Sequence, residues 1–240
     1  MSLKRSTGSA STDEFSDPQL YRKIAGSLQY LSITRPDIAF TTNYICQRMH
    51  KPYVDDFQTL KRLLRYVQGT TDLGIPIDPG DLQLRAFADV DWAADSSDRR
   101  SITGFCTFLG NTIIFWSAKK QVTVAKSSTE VEYRSISSAT SEVIWLRRLL
   151  AELRIPQIGP TPLHCDNTSA IALANNPIFH ARTKHIEIDY HFISDHIKAG
   201  DLNIIHISSA HQIADILTKS LPKDRFLHLR NKLNIRSKDD

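Results

Sequence analysis

Residues 82–120 read LQLRAFADVD, then WAADSSDRR, then SITGFCTFLG and NTIIFWSAKK. The first piece alternates like a strand. The last two are rich in β-branched and aromatic residues and meet at Gly110-Asn111, a hairpin signal. Three strands in a row are therefore predicted here. Downstream the period changes. Residues 128–153 place Ile136, Ala139, Val143, Leu146, Leu150 and Leu153 at three-and-four spacing, which predicts one long helix. TPLHCD (161–166) reads as a short buried strand, followed by a helix from Asn167 to about Asn175. EIDYHFISDHIKAG (187–200) predicts a helix ended by Gly200, DLNIIHIS (201–208) a strand, and HQIADILTKSL (211–221) a final helix. Hairpin-linked strands followed by strand–helix units imply a mixed sheet with helices on its faces. The sequence contains no internal repeat.

Upstream, residues 16–73 predict a small all-helical segment. Asp17 is placed as an N-cap with Pro18 at the first helical position, and Leu20, Ile24, Leu28 and Leu31 form the apolar spacing. A second helix runs through Ile45 and Met49, and a third, DDFQTLKRLLRYVQGT, closes on Gly69. GIPIDPGD (74–81) reads as a linker. Residues 1–15 are polar and predict a disordered tail, residues 82–222 an α/β domain, and residues 223–240 a C-terminal helix with a charged tail.

The chain has 240 residues and a net charge of +4, a mild bias toward polyanions that proves no nucleic-acid binding. No apolar run approaches the roughly 18–20 residues of a membrane span, so no membrane association is expected. The N-terminus lacks the apolar core of a secretory signal. Cys46, Cys106 and Cys165 are far apart, which fits a reducing, intracellular setting, in a cytoplasmic particle or the nucleus, better than a disulfide framework.

Four acids sit where an element begins or ends: Asp89, Glu132, Asp166 and Asp215. Glu132 prolongs the apolar stripe of the long helix, while Glu130 lies about 200° round it and should see solvent. An inward carboxylate is costly unless it meets a cation. Each acid also has a plainer explanation. Asp166 could cap the helix starting at Asn167, Asp215 could favour a helix N-terminus, and Asp89 and Asp91 could be turn residues. Four acids from four elements, one facing inward, weigh toward a metal centre.

The ordered run FADVDWAAD, RRSITGFCTFLG, FWSAKKQVTVAKSSTEVEY, HCDNTSAIALANNP, HARTKHIEIDYHFI and HQIADILTKSL resembles the ribonuclease H domain of copia-type retrotransposon polyproteins. YRKIAGSLQYLSITRPDIAF to LKRLLRYVQGT resembles the stretch that joins reverse transcriptase to it. The resemblance covers roughly residues 17–222. It implies an α/β, ribonuclease H-like mixed five-stranded sheet flanked by helices, preceded by a small all-helical segment. It also implies a four-acid, two-metal site for Mg²⁺, with Mn²⁺ as a substitute. The family acids fall on Asp89, Glu132, Asp166 and Asp215. Asp89 would bridge both metals, Asp166 and Asp215 hold the nucleophile-side metal, and Glu132 the leaving-group side. Val131 and Ser135 depart from the family's frequent alanines, and no acid is lost. Asn167, Arg182, Lys184 and His185 are implied to bind substrate, and His211 to be auxiliary. The implied activity is cleavage of the RNA strand of RNA–DNA hybrids. A reverse transcriptase chain is a possible partner of the helical segment. The competing class is a catalytically silent, retroelement-derived module that binds nucleic acid or protein.

Four features are expected to be decoys. Tyr53-Val54-Asp55-Asp56 spells a polymerase-like signature, but its acids should start a helix. His185, Asp189, His191 and His196 have weak zinc spacing. Trp92, Trp116 and Trp145 are expected in the core, and Arg147, Arg148 and Arg154 on a solvated helix face.

Overall fold

The computed structural model describes residues 13–95, 98–175 and 186–237. Five strands form one mixed sheet: β2 (Leu84–Asp91), β3 (Ile102–Leu109), β4 (Thr112–Lys120), β5 (Thr161–Cys165) and β6 (Leu202–His206), in the spatial order β4-β3-β2-β5-β6. The β2–β3 and β3–β4 pairs are antiparallel, the β2–β5 and β5–β6 pairs parallel. Gly110 takes the left-handed conformation that its hairpin requires (φ 58°), and its missing side chain leaves room for the carbonyl of Asp81. This is the α/β, ribonuclease H-like sheet flanked by helices that the sequence implied, with the all-helical segment before it.

Helix α4 (Ser128–Glu152) is capped by Ser127, whose side chain accepts the Glu130 amide. Its stripe Ile136, Ala139 and Val143 is fully buried against Ala86, Ala88, Leu163 and Phe105 of the sheet. Each such Ile, Val or Leu contributes about 1.5–3 kcal/mol of burial, which fixes the register of α4 on β2. Helices α5 (Thr168–Ala174) and α6 (Glu187–Lys198) join this core through Ala170, Ala174, Tyr190 and Ile193.

The helical segment builds its own core from α1 (Pro18–Leu31), α2 (Ala39–Cys46) and α3 (Val54–Gln68). The buried face of α1 is Tyr21, Ala25 and Leu28, rotated from the expected one, and Leu20 is exposed. The Tyr21 hydroxyl donates to the Ile45 carbonyl (3.0 Å), so an amphipathic ring displaced the aliphatic residue from the core. Asp55 and Asp56 do begin a helix, and the Asp56 carboxylate accepts the Tyr53 amide (2.9 Å).

Two compact units result, and the chain visits one of them twice. One comprises the chain through Ile77 together with the part from Lys219 onward; the other is Asp78–Thr218. In the first, strand β1 (Leu73–Gly74) pairs antiparallel with β7 (Arg236–Ser237), and α8 (Lys223–Lys232) brings Phe226 edge-on to Tyr66. Among the described residues no helix is long and apolar enough to cross a membrane.

Several expectations require correction. Glu130 is buried, because the chain before α4 folds back on it: its carboxylate accepts the Lys126 amide (3.2 Å) and pairs with Arg134 (2.8 Å). Arg147 is not on a solvated face. Its guanidinium staples the α4–β5 connection through Gly159 and Gln157 carbonyls and the Thr161 hydroxyl. Arg148 and Arg154 are exposed as expected. Trp92 and Trp145 are half exposed rather than core, and Trp116 is partly buried. HQIADILTKSL is not one helix. Only α7 (Asp215–Thr218) is α-helical, because Gln212 is extended, its side-chain amide donating to the Ala88 carbonyl of β2 and its Oε1 accepting the Ala214 amide.

Candidate metal centre

Asp89 is the sixth residue of β2, paired in register with Gly104 of β3. Successive side chains of a strand point to opposite faces. Ala86 and Ala88 face α4, so Asp89 faces away from it, toward α7. The strand end is nevertheless tied to α4, because the Ser135 hydroxyl donates to the Asp89 carbonyl (3.1 Å). Glu132 lies one helical turn before Ser135 and is 5% exposed. Cys165 ends β5, the parallel neighbour of β2, and Asp166 follows it directly. One ligand atom from each of Glu132, Cys165 and Asp166 lies within 4.8 Å of the others. Among the described residues this is the one group of three or more His, Cys, Asp or Glu side chains close enough to share an ion.

The acids also register on the thiol among them. Burial pushes the Cys165 thiol far up, and the charges of Glu132, Asp166 and Asp89 push it the same way. Two carboxylates, one on α4 and one just past β5, therefore lie beside one buried thiol. Two of the three donors are hard carboxylate oxygens, which suit Mg²⁺ or Mn²⁺. The residues present fit such an ion.

Asp215 arrives on α7 and is 7% exposed. Two buried side chains flank it and bind β2. Gln212 donates to the Ala88 carbonyl (2.9 Å), and the Thr218 hydroxyl donates to Asp89 Oδ2. Asp166 is held from another direction, with the Ser209 hydroxyl donating to its Oδ2 (2.7 Å). The helix after β5 is capped by Asn167, whose Oδ1 accepts the Ala170 amide (3.0 Å), so capping does not explain Asp166. The same bond commits one side of Asn167 to the helix. Exposed His211 bonds its Nδ1 to Ser208 (3.0 Å). His196 bonds Asp201 (2.9 Å). Arg182, Lys184 and His185 lie outside the described residues.

Sequence reasoning missed Gln212, Thr218, Ser209 and Gly104. Only Gly104 had a signal, since a glycine inside a strand marks a close approach. The hydroxyls and the amide act over separations of 43–129 residues, which no local pattern reports.

No protein-family model matches the chain. It is 46% identical over 92% of its length to the retrovirus-related Pol polyprotein from transposon RE1 of Arabidopsis thaliana, covering 15% of that polyprotein. It is 37% identical over 86% of its length to the corresponding polyprotein of transposon TNT 1-94 of Nicotiana tabacum, covering 16% of it. Among solved structures, LC11-RNase H1 isolated from compost aligns with 57% of this chain and 93% of that one, at 13% identity and a TM-score of 0.43. The chain thus spans about 15% of the length of the polyproteins it matches. At that level of identity, sustained along almost all of its residues, the chain is a homologue of one stretch of the retrovirus-related transposon Pol polyproteins.

Proposed function

We propose that the chain is a ribonuclease H-type nuclease that hydrolyses the RNA strand of RNA–DNA hybrids with two Mg²⁺ ions, Mn²⁺ substituting. The observation that supports this reading is the clustering of Glu132 and Asp166 ligand atoms within 4.8 Å at the end of β5, with Asp89 buried on the neighbouring strand β2 and bonded to the helix of Asp215. Asp89 would be shared by the two ions, Glu132 would serve one, and Asp166 with Asp215 the other. Bound there, the ions activate a water and offset the charge of the phosphate and the leaving oxygen.

The chain's own residues prepare that site. Burial of Asp89, Glu132 and Asp215 excludes water and strengthens every charge interaction at the strand ends. Ser209 holds one oxygen of Asp166, and Ser135 ties the strand carrying Asp89 to the helix carrying Glu132. Asn167, Arg182, Lys184 and His185 are assigned to substrate phosphates, and His211 to an auxiliary part in product release. The partner chemistry is hybrid duplex read by backbone and 2′-hydroxyl contacts. The family context of the helical unit supports a reverse transcriptase chain as its partner.

The test is incubation with end-labelled hybrid in Mg²⁺, in Mn²⁺ and in EDTA. Cleavage of the RNA strand in either cation, lost in EDTA, is expected. A folded protein that binds Mn²⁺ and hybrid yet leaves the RNA intact would instead be a silent binding module.

A further inference from the structure

Thr218 is fully buried, 129 residues along the chain from the carboxylate it touches. It lies three residues after Asp215, so the last turn of α7 presents the metal-site acid at one end and this hydroxyl at the other. A helical threonine ordinarily returns its hydroxyl to a carbonyl three or four residues back. Here that contact, to the Asp215 carbonyl, is long (3.4 Å), and the hydroxyl donates to Asp89 Oδ2.

The close approach is made possible by one residue. Gly104 is the register partner of Asp89 on β3. A Cβ at Gly104 would stand 2.5 Å from Thr218 Cγ2 and 2.8 Å from Leu217 Cβ. Side-chain carbons do not approach so closely, so any other residue at 104 would push α7 off the sheet. The glycine thus seats α7 directly on the strand beside Asp89, and Gln212 holds the other side of the same segment to Ala88.

We propose that Thr218 is a positioning residue for cation binding: it fixes the Asp89 carboxylate in the rotamer that receives the metal, with Gly104 as the seat that lets it reach. The inference rests on the metal-centre reading above. A carboxylate offers about four acceptor positions, so one hydroxyl orients it and still leaves room for a cation. Hydrogen-bond partners of metal-ligating carboxylates typically change metal affinity by about 10–100-fold when removed.

The test is calorimetric titration of the full chain with Mn²⁺ alone, in the wild type, Thr218→Val and Thr218→Ser. Valine keeps the shape and deletes the hydroxyl; serine keeps the hydroxyl and deletes the methyl that rests on Gly104. The expected result is a loss of about 10–100-fold in Mn²⁺ affinity for valine, with serine losing well under tenfold. Cleavage of hybrid by the valine variant should recover as Mn²⁺ is raised. A folded valine variant with wild-type affinity overturns the proposal. If valine does not fold, serine decides, and a serine variant weakened tenfold or more overturns it. Absence of Mn²⁺ binding in the wild type would sink the metal centre itself, and this inference with it.

Discussion

Both units bury charge, and they do so in opposite ways. In the helical unit the Arg35 guanidinium grips Asp37 with two bonds (2.9 and 2.7 Å) and binds Thr70. The Tyr66 hydroxyl donates to the same carboxylate (2.6 Å), and burial together with Asp37 pushes its pKa up to about 12. This network matches a cation to an anion and caps it with neutral donors, which is how a buried ion pair survives in a fold. In the α/β unit, Glu132 and Asp166 gather around a buried thiol that also feels Asp89, and the bonds described to Asp89 and Asp166 come from threonine and serine hydroxyls. Matched burial holds the fold together. Clustered carboxylates mark a place for a cation.

The contrast can be broken most decisively at the acids. Asp166→Asn and Glu132→Gln are expected to reduce hybrid cleavage to background. Melting in EDTA should show little loss of stability, since each amide keeps the shape and one acceptor oxygen of the acid it replaces. A clear drop in the EDTA melting temperature would place these acids among the structural ones. In the helical unit, Asp37→Ala should do the reverse. It strands a buried guanidinium and is expected to cost about 3 kcal/mol in urea unfolding. An effect near zero would show that the network is ornamental.

Gly104→Ala comes next. Overpacking against Leu217 and Thr218 is expected to cost about 1–3 kcal/mol and to weaken Mn²⁺ binding, both measurable on one sample by melting and titration. The smallest effect is expected for Glu130→Gln. The change weakens an i,i+4 pair with Arg134 and a bond to the Lys126 amide, so about 0.5–1 kcal/mol of stability should be lost. Turnover at saturating Mg²⁺ should persist, unlike in Glu132→Gln. Equal loss of turnover in both would mean that Glu130, too, serves the ions.

Much of this was legible in the residues themselves. Local periodicity located β2 to β6 and the face of α4, and the same periodicity pointed Glu132 inward. Glycine chemistry placed the Gly110 hairpin and the end of α6 at Gly200. What was not legible depends on distant partners. Glu130 is also turned inward because Lys126 and Arg134 close around it, which helix angles alone do not reveal. The helix expected over HQIADILTKSL breaks because Gln212 finds the backbone of β2, 124 residues away. On α1 the choice between Leu20 and Tyr21 turned on a carbonyl of α2 that only the folded unit supplies.

The return of the chain to its first unit has a consequence for backbone cleavage. A protease cutting anywhere in residues 75–81 would sever the sequence without releasing the helices. The piece before the cut stays zipped to the other through the β1–β7 ladder and the packing of Tyr66 on Phe226. The nicked protein should therefore migrate as one species under native conditions and as two in denaturant. Freeing the α/β unit requires a second cut, on the far side of Thr218.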